Sequence, residues 1–484
     1  MKWKKVKMKQ NNLYNKLKKY SKSNTIPMHM PGHKRNTKLL GKKLPYELDI
    51  TEINDFDDLH HAEGIIKNIE KKAKKTFNSK RSFLLVNGST CGLLAGIRSV
   101  VKPKDKILVA RNSHKSVYNA IEMNFLEPIY IEPEIDENDI YQEITPEAIE
   151  RQLELNKDIK LIVLTSPTYE GIISNIKTIV EIAHSYNIPV LVDEAHGAHL
   201  NFMDKIKEYE ALNCDADIVI QSLHKTLPSL TQTAILHIKG NLVNEVEVAK
   251  QLAIFETSSP SYLFMVSIEE CIDFINNNKY KIINYQEKLD KIYNKTKMLK
   301  HLKILGNILD NNIKYDLGKI VILTKDTKIN GKELANILRK DYKIEVEMSY
   351  INYVICMTSV CDSNKNFKKL LKAILDIDKR LENNQIVFEN GDTINKYNKK
   401  EEKEEKGKKE KKEKQEENTI YYKEAEGKVM DEYMWVYPPG IPLIMPGETV
   451  SVDLIKKIEK IVRSDLQLRT TNNKFPYIII KNKN

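Results

Sequence analysis

Between residues 80 and 240, short apolar runs alternate with stretches of helical periodicity, and this alternation constrains the fold more than any other feature. The spacing predicts strands at Ser82–Val86, Lys106–Ala110, Pro128–Ile131, Leu161–Thr165, Pro189–Asp193, Asp217–Ser222 and Ala234–Ile238. Their near-continuous Val, Ile and Leu content is what strands covered on both faces require. Helices fit between them at Cys91–Val101, Ser116–Asn124, Pro146–Leu155 and Ile176–Tyr186. Strands and helices in this order predict an α/β domain around a mostly parallel sheet. Ligands in such folds bind beyond the carboxyl ends of the strands, so the chemistry is sought there.

Charge narrows the function classes. The formal net charge is +11, but residues 1–22 hold nine lysines and no acid, which leaves +2 for the rest. A near-neutral body argues against a nucleic-acid groove. Five scattered cysteines (91, 214, 271, 356 and 361) form no disulfide framework and no zinc pair, and they fit a reducing, cytoplasmic setting. No apolar stretch is long enough for a spanning helix, and the amino terminus lacks a secretory apolar block. Leu13, Leu17 and Tyr20 recur at helical spacing and predict a short basic amphipathic helix, solvated or packed on a partner surface, with binding to a membrane surface as the lesser alternative. KKEEKEEKGKKEKKEKQEEN (399–418) has nine Lys and eight Glu with no apolar side chain. It cannot bury enough surface to offset its ordering entropy, so it is expected to be a solvated insertion.

Three strand ends carry polar groups. After SFLLV comes Asn87-Gly88-Ser89-Thr90-Cys91-Gly92, opening a helix. Free backbone N–H groups, the helix dipole and two hydroxyls would make an anion site there; an ordinary turn with a Ser or Thr cap would read the same way. The run IPVLVDEAHGAH (188–199) ends a buried strand with Asp193, where a carboxylate is costly unless something cationic meets it. Its DEAH letters do not make a helicase, because no GxxxxGK[ST] phosphate loop exists in the chain. A metal site on His196 and His199 lacks further ligands at matching spacing. One strand later, Ser222, His224 and Lys225 follow directly. An anion cup, a buried Asp and a sheltered Lys on neighbouring strand ends match what pyridoxal 5′-phosphate needs: Ser89 and Thr90 for the phosphate, Asp193 for the ring nitrogen, Lys225 for the aldehyde.

The chain resembles the fold type I pyridoxal-phosphate enzymes, and within them the prokaryotic-type ornithine/lysine/arginine decarboxylases. The resemblance rests on MPGHK (30–34), DITEINDFDDLHHAEGII (49–66), VNGSTCG (86–92), ARNSHKSVYNA (110–120), SPTYEG (166–171), VDEAHGAH (192–199), QSLHKT (221–226), TSSPSY (257–262) and YPPGIPLIMPGE (437–448). It implies that Lys225 binds the cofactor covalently and Asp193 pairs with the pyridine nitrogen. It implies that His114 stacks on one ring face and Ala195 packs on the other. Ser89, Thr90, Ser222 and His224 would hold the phosphate, and His196 joins the cofactor-binding set; no metal is expected. His114 also reads as a plain capping residue between strand and helix. At Phe77-Asn78-Ser79 the family's usual Phe-Gly-Ala turn is altered, and Asn tolerates the same left-handed conformation.

The resemblance implies decarboxylation of a basic L-amino acid (arginine, lysine or ornithine), feeding polyamine synthesis. The chain is expected to be the short form without an amino-terminal receiver-like domain, acting as a homodimer or a dimer of dimers. Its active site would lie at the dimer interface, where TSSPSY reaches a neighbour. Another fold type I enzyme, such as an aminotransferase or a lyase, is the first rival, and a non-catalytic regulator that retained the fold is the second. The expected organisation is an amino-terminal segment (1–60), a cofactor-binding large domain (61–265), a smaller α/β domain (266–390), the Lys/Glu insertion (391–425) and a carboxy-terminal part of the small domain (426–484). Within it, strands are expected near Lys319–Leu323 and Val354–Thr358.

Overall fold

The structure is a computed structural model and describes residues 12–386, 418–436, 440–464 and 466–481. Most of the Lys/Glu run, together with Lys2–Lys9 and the start of the YPPG stretch, lies outside the described residues. Helix α1 (Leu13–Ser21) is capped by the Asn12 side chain and buries Leu13 and Leu17. The Leu13 N–H donates to Glu269 Oε2 at 2.8 Å. The amphipathic helix therefore packs on the chain's own surface. After the short α2 (Thr37–Leu40), α3 (Ile65–Phe77) ends at Asn78 with φ 55° and ψ 40°, the left-handed turn expected there.

The elements that follow are β1 (Arg81–Leu85), α4 (Gly88–Arg98), β2 (Lys106–Ala110), α5 (Lys115–Met123), β3 (Glu127–Ile131), α6 (Pro146–Leu155) and β4 (Ile159–Thr165). Next come β5 (Ile172–Ile173), α7 (Ile176–Ser185), β6 (Val190–Asp193), β7 (Ile218–Ser222), α8 (Leu223–Thr226), β8 (Ala234–Ile238) and α9 (Glu245–Phe255). Seven strands form one sheet in the order β1-β8-β7-β6-β4-β2-β3. Only β8 runs against the others, antiparallel to both β1 and β7. The carboxyl ends of β1, β2, β6 and β7 therefore share one edge. Alternate residues face opposite cores: Val190, Val192 and Val219 enter one cluster, Leu191, Ile218 and Ile220 the other. That two-sided burial is what the unbroken apolar runs required. Helix α4 lies tight on the sheet at Gly92, where an added Cβ would sit 2.7 Å from Leu85 Cδ1.

Long helices α10 (Tyr262–Asn277) and α11 (Lys279–Thr296) lead to β9 (Lys303–Ile304), α12 (Leu305–Ile308), β10 (Lys314–Tyr315), β11 (Lys319–Leu323), α13 (Gly331–Tyr342), β12 (Met348–Ser349), β13 (Tyr353–Met357) and α14 (Asn364–Glu382). Here an antiparallel sheet runs β12-β13-β11-β9. The two-residue strand β10 pairs with β5, which brings the turn 316–319 against the edge of the large sheet. Beyond the undescribed stretch, β14 (Thr419–Tyr421) pairs with Tyr477–Ile479, so regular structure begins again two residues before Tyr421. Among the described residues, no helix is long and apolar enough to cross a membrane.

Candidate active site

Lys225 follows β7 in the single turn of α8, and its Nζ lies 3.0 Å from His196 Nε2. Burial pulls its pKa below the ordinary lysine value, opposed by the charges of Asp193 and Glu347. Asp193 closes β6 at 5% exposure. Burial raises its pKa, while the Lys225 charge and a hydrogen bond from the Ala195 N–H to Oδ1 (3.1 Å) lower it. Its second oxygen has no hydrogen-bond partner among the described residues. A buried carboxylate with one free oxygen beside a lysine can receive one more N–H from a cationic ligand.

The anion cup forms from two strand ends. Ser89 Oγ lies 2.6 Å from Ser222 Oγ, although β8 separates β1 from β7 in the sheet. Helix α4 starts at Gly88 (φ 79°), and Asn87 at its cap position makes no side-chain hydrogen bond. Ser89 and Thr90 thus lie inside the first turn, and neither is its cap residue. The first N–H groups are left for a ligand. Thr90 is exposed, and its hydroxyl joins no hydrogen bond among the described residues. His224 Nδ1 is 2.9 Å from the Thr233 carbonyl oxygen.

His114 caps α5: its Nδ1 accepts from the Ser116 N–H at 3.3 Å and lies 2.7 Å from Ser116 Oγ. It also lies in the field of Lys225, and burial with that charge brings its pKa down to about 4. The plain capping role and the site placement hold together, for the cap fixes a neutral ring near Lys225. His196 and His199 do not converge on a metal. His196 meets Lys225 and Lys319, while His199 Nε2 lies 3.0 Å from Asp316 Oδ1.

Sequence reasoning missed Lys319, Glu347 and Glu256. Lys319 is 1% exposed, with Nζ 2.6 Å from His196 Nδ1; its only signal was a single charge opening an apolar run. Glu347 Oε1 accepts from the Tyr169 hydroxyl at 2.6 Å, and the Tyr169 ring meets His196 edge-on at 4.8 Å between centroids. Glu256 Oε1 takes the Val86 N–H at 2.8 Å just before the cup, and burial pushes its pKa up to about 7. The acids of 49–58 serve local structure: Asp57 accepts the N–H groups of Glu63, Gly64 and Ile66 ahead of α3, and Asp49 pairs with His33.

Residues 11–306 match the major domain of the Orn/Lys/Arg decarboxylases and residues 394–477 match the C-terminal domain of the same family. The chain belongs to the Orn/Lys/Arg decarboxylase family. It is 32% identical over 469 residues to an arginine decarboxylase of Bacillus anthracis, covering 94% of each chain. In fold it is similar to a lysine decarboxylase of Francisella novicida, with TM-score 0.79 and 20% identity over 97% of this chain and 81% of that one. A serine palmitoyltransferase of Sphingomonas wittichii shares the fold more loosely, with TM-score 0.53 and 14% identity over 66% of this chain and 77% of that one. The decarboxylase therefore has the α/β, fold type I architecture, and its cofactor is pyridoxal 5′-phosphate. The residues present fit that group: uncapped N–H groups and the Ser89–Ser222 pair for a phosphate, the free Asp193 oxygen for a ring N–H, and the Lys225 amine for an aldehyde.

Proposed function

We propose that this decarboxylase acts on L-arginine and releases agmatine. The observation that carries the reading is the convergence of Asp193, His196 and Lys225 at one sheet edge beside the Ser89–Ser222 cup. The choice of arginine over lysine or ornithine rests on the near-full-length similarity to relatives named arginine decarboxylase. Bound pyridoxal 5′-phosphate supplies an electron sink for the pair left behind as carbon dioxide departs. Asp193, whose second oxygen has no partner among the described residues, would hold the proton on the cofactor's ring nitrogen. His114, held neutral by burial, would pack on one side of the cofactor and Ala195 on the other. Ser89, Thr90, Ser222 and His224 anchor the phosphate, so orientation selects the carboxylate bond for cleavage.

The exposed apolar side chains Ile26, Met28, Met30 and Leu39 on the segment carrying MPGHK support a second copy covering that face, as a homodimer or a dimer of dimers. Four buried cysteines and one exposed one, none of them paired, support a reducing cytoplasm, where the amine product would feed polyamine synthesis. Purified protein supplied with the cofactor and carboxyl-labelled arginine, lysine or ornithine tests the reading. Labelled carbon dioxide and agmatine from arginine are expected, and a keto acid as product would overturn it. The visible absorbance gained with the cofactor should vanish in Lys225→Ala, which separates an enzyme from a non-catalytic relative.

A further inference from the structure

One imidazole lies between two lysines. His196 Nε2 is 3.0 Å from Lys225 Nζ, and His196 Nδ1 is 2.6 Å from Lys319 Nζ. Lys319 also donates to the Tyr169 carbonyl oxygen at 3.1 Å. Its position is fixed independently of His196. Asp316, three residues earlier, pairs with His199, three residues after His196, and the Asp316 N–H donates to the Gly171 carbonyl at 2.9 Å. Two contacts of equal spacing therefore clamp the turn 316–319 to the loop after β6.

A neutral imidazole has one N–H and one lone pair. Burial, with the charge of Lys319 added, holds His196 well below its usual pKa, so the ring is neutral. Lys319 also donates to the Tyr169 carbonyl; burial brings its pKa down to about 8, and the charges of Asp316, Glu170 and Glu347 oppose that fall and keep the ammonium form in the majority at neutral pH. Surrounded in this way it donates, and His196 Nδ1 supplies the lone pair. The ring proton then sits on Nε2 and points at Lys225 Nζ. Only an unprotonated amine can accept it.

We propose that Lys319, acting through His196, is a positioning residue that holds Lys225 as a neutral amine, the form able to add to a carbonyl carbon. The inference rests on the assignment of Lys225 and its cofactor made above, and deepens it. The other groups whose charge bears on Lys225 or His196 are Asp193, Glu347, His114 and His224. All four are left in place by the test.

Cofactor-free protein is mixed with pyridoxal 5′-phosphate, and the growth of visible absorbance is followed against pH in wild type, Lys319→Met and Lys319→Gln. Methionine removes the donor and the charge; the glutamine amide loses the charge but still donates to Nδ1. Lys319→Met is expected to move the midpoint of the rate profile upward and to slow the reaction by about tenfold near neutral pH, while Lys319→Gln stays within about threefold of wild type. A methionine variant that behaves as wild type overturns the proposal. Equal shifts in both variants also overturn it, by assigning the effect to lost charge alone. Should the variants fail to fold, ¹⁵N spectra of histidine-labelled, cofactor-free wild type decide. The His196 signal, identified by its loss in His196→Gln, is expected to carry its proton on Nε2, and a proton on Nδ1 or on both nitrogens overturns the proposal. Wild type that never gains absorbance would instead sink the assignment of Lys225 itself.

Discussion

Ser89 and Ser222 are separated by a whole strand of the sheet, yet their hydroxyl oxygens lie 2.6 Å apart. Ser222 ends β7 and Ser89 lies in the first turn of α4, after β1, while the intervening β8 runs the other way. The pair marks where the amino end of α4 and the start of α8 meet over a common point. Hydrogen bonds to a charged group contribute about 1.5–3 kcal/mol each, so Ser89→Ala and Ser222→Ala should each weaken cofactor binding by roughly ten- to a hundredfold. Equilibrium titration of cofactor-free protein with pyridoxal 5′-phosphate measures this. An unchanged dissociation constant in both variants would remove the pair from the phosphate site.

Asp193 is buried, and among the described residues its carboxylate accepts one hydrogen bond, from the Ala195 N–H. Asp193→Asn preserves shape but replaces the anion with a neutral amide. A ring nitrogen facing an amide no longer holds its proton, so kcat should fall by about a hundredfold or more, with a smaller change in KM. Initial-rate measurements of carbon dioxide release check the split. A loss confined to KM would place Asp193 in substrate binding instead.

Much of this was legible in the chain. The seven strands of the large sheet fall within two residues of their expected bounds, because strands buried on both faces must be written as unbroken apolar runs. Helix α4 was misplaced by three residues, running Gly88–Arg98 against the expected Cys91–Val101. It carries no side-chain cap, and a cap is the signal that marks a start. Asn78 was read correctly because its conformation is a property of one residue. Lys319 was not legible. Its contact with His196 exists only because β10 pairs with β5 and carries the next turn to the site, a tertiary event that no local pattern encodes. In a chain so rich in lysine, no composition signal could single it out.

Beneath the site, Gln221 Nε2 donates both to Glu194 Oε2 at 2.7 Å and to Glu210 Oε1 at 2.9 Å. Burial raises both carboxyl groups, with each other's charge adding to the rise in Glu194; Glu210 is pushed from 4.5 up to about 7. A raised folded-state value means that the group's contribution to stability is complete below the unfolded value and is lost as pH climbs through the folded one. Glu210→Gln removes that loss, although its amide NH₂ meets the Asn213 N–H now bound by Glu210 Oε2. Melting curves should show the variant less stable than wild type near pH 5 by roughly 1–3 kcal/mol, with the gap narrowing or reversing towards pH 8. A gap independent of pH would mean that the pair shares no such proton.

Asp316 behaves in the opposite sense. Burial alone would raise it, but the His199 ring at 3.0 Å and the charge of Lys319 hold its carboxyl below the ordinary 3.8. With a depressed folded-state value, its contribution is present above the unfolded pKa and disappears as pH falls through the folded one. Oδ1 carries both the His199 contact and the Gly318 N–H at 2.8 Å, while Oδ2 is buried without a partner. Removing the charge from such a buried pair costs about 3 kcal/mol, so Asp316→Asn should lower stability by about that much near neutral pH, with the deficit shrinking below about pH 4. The same change withdraws a carboxylate from the field of Lys319. It should therefore slow the gain of visible absorbance on adding pyridoxal 5′-phosphate, in the direction of Lys319→Met. Stability lost with no change in that rate would confine Asp316 to holding the turn, and a variant as stable as wild type near neutral pH would show that the clamp carries no load.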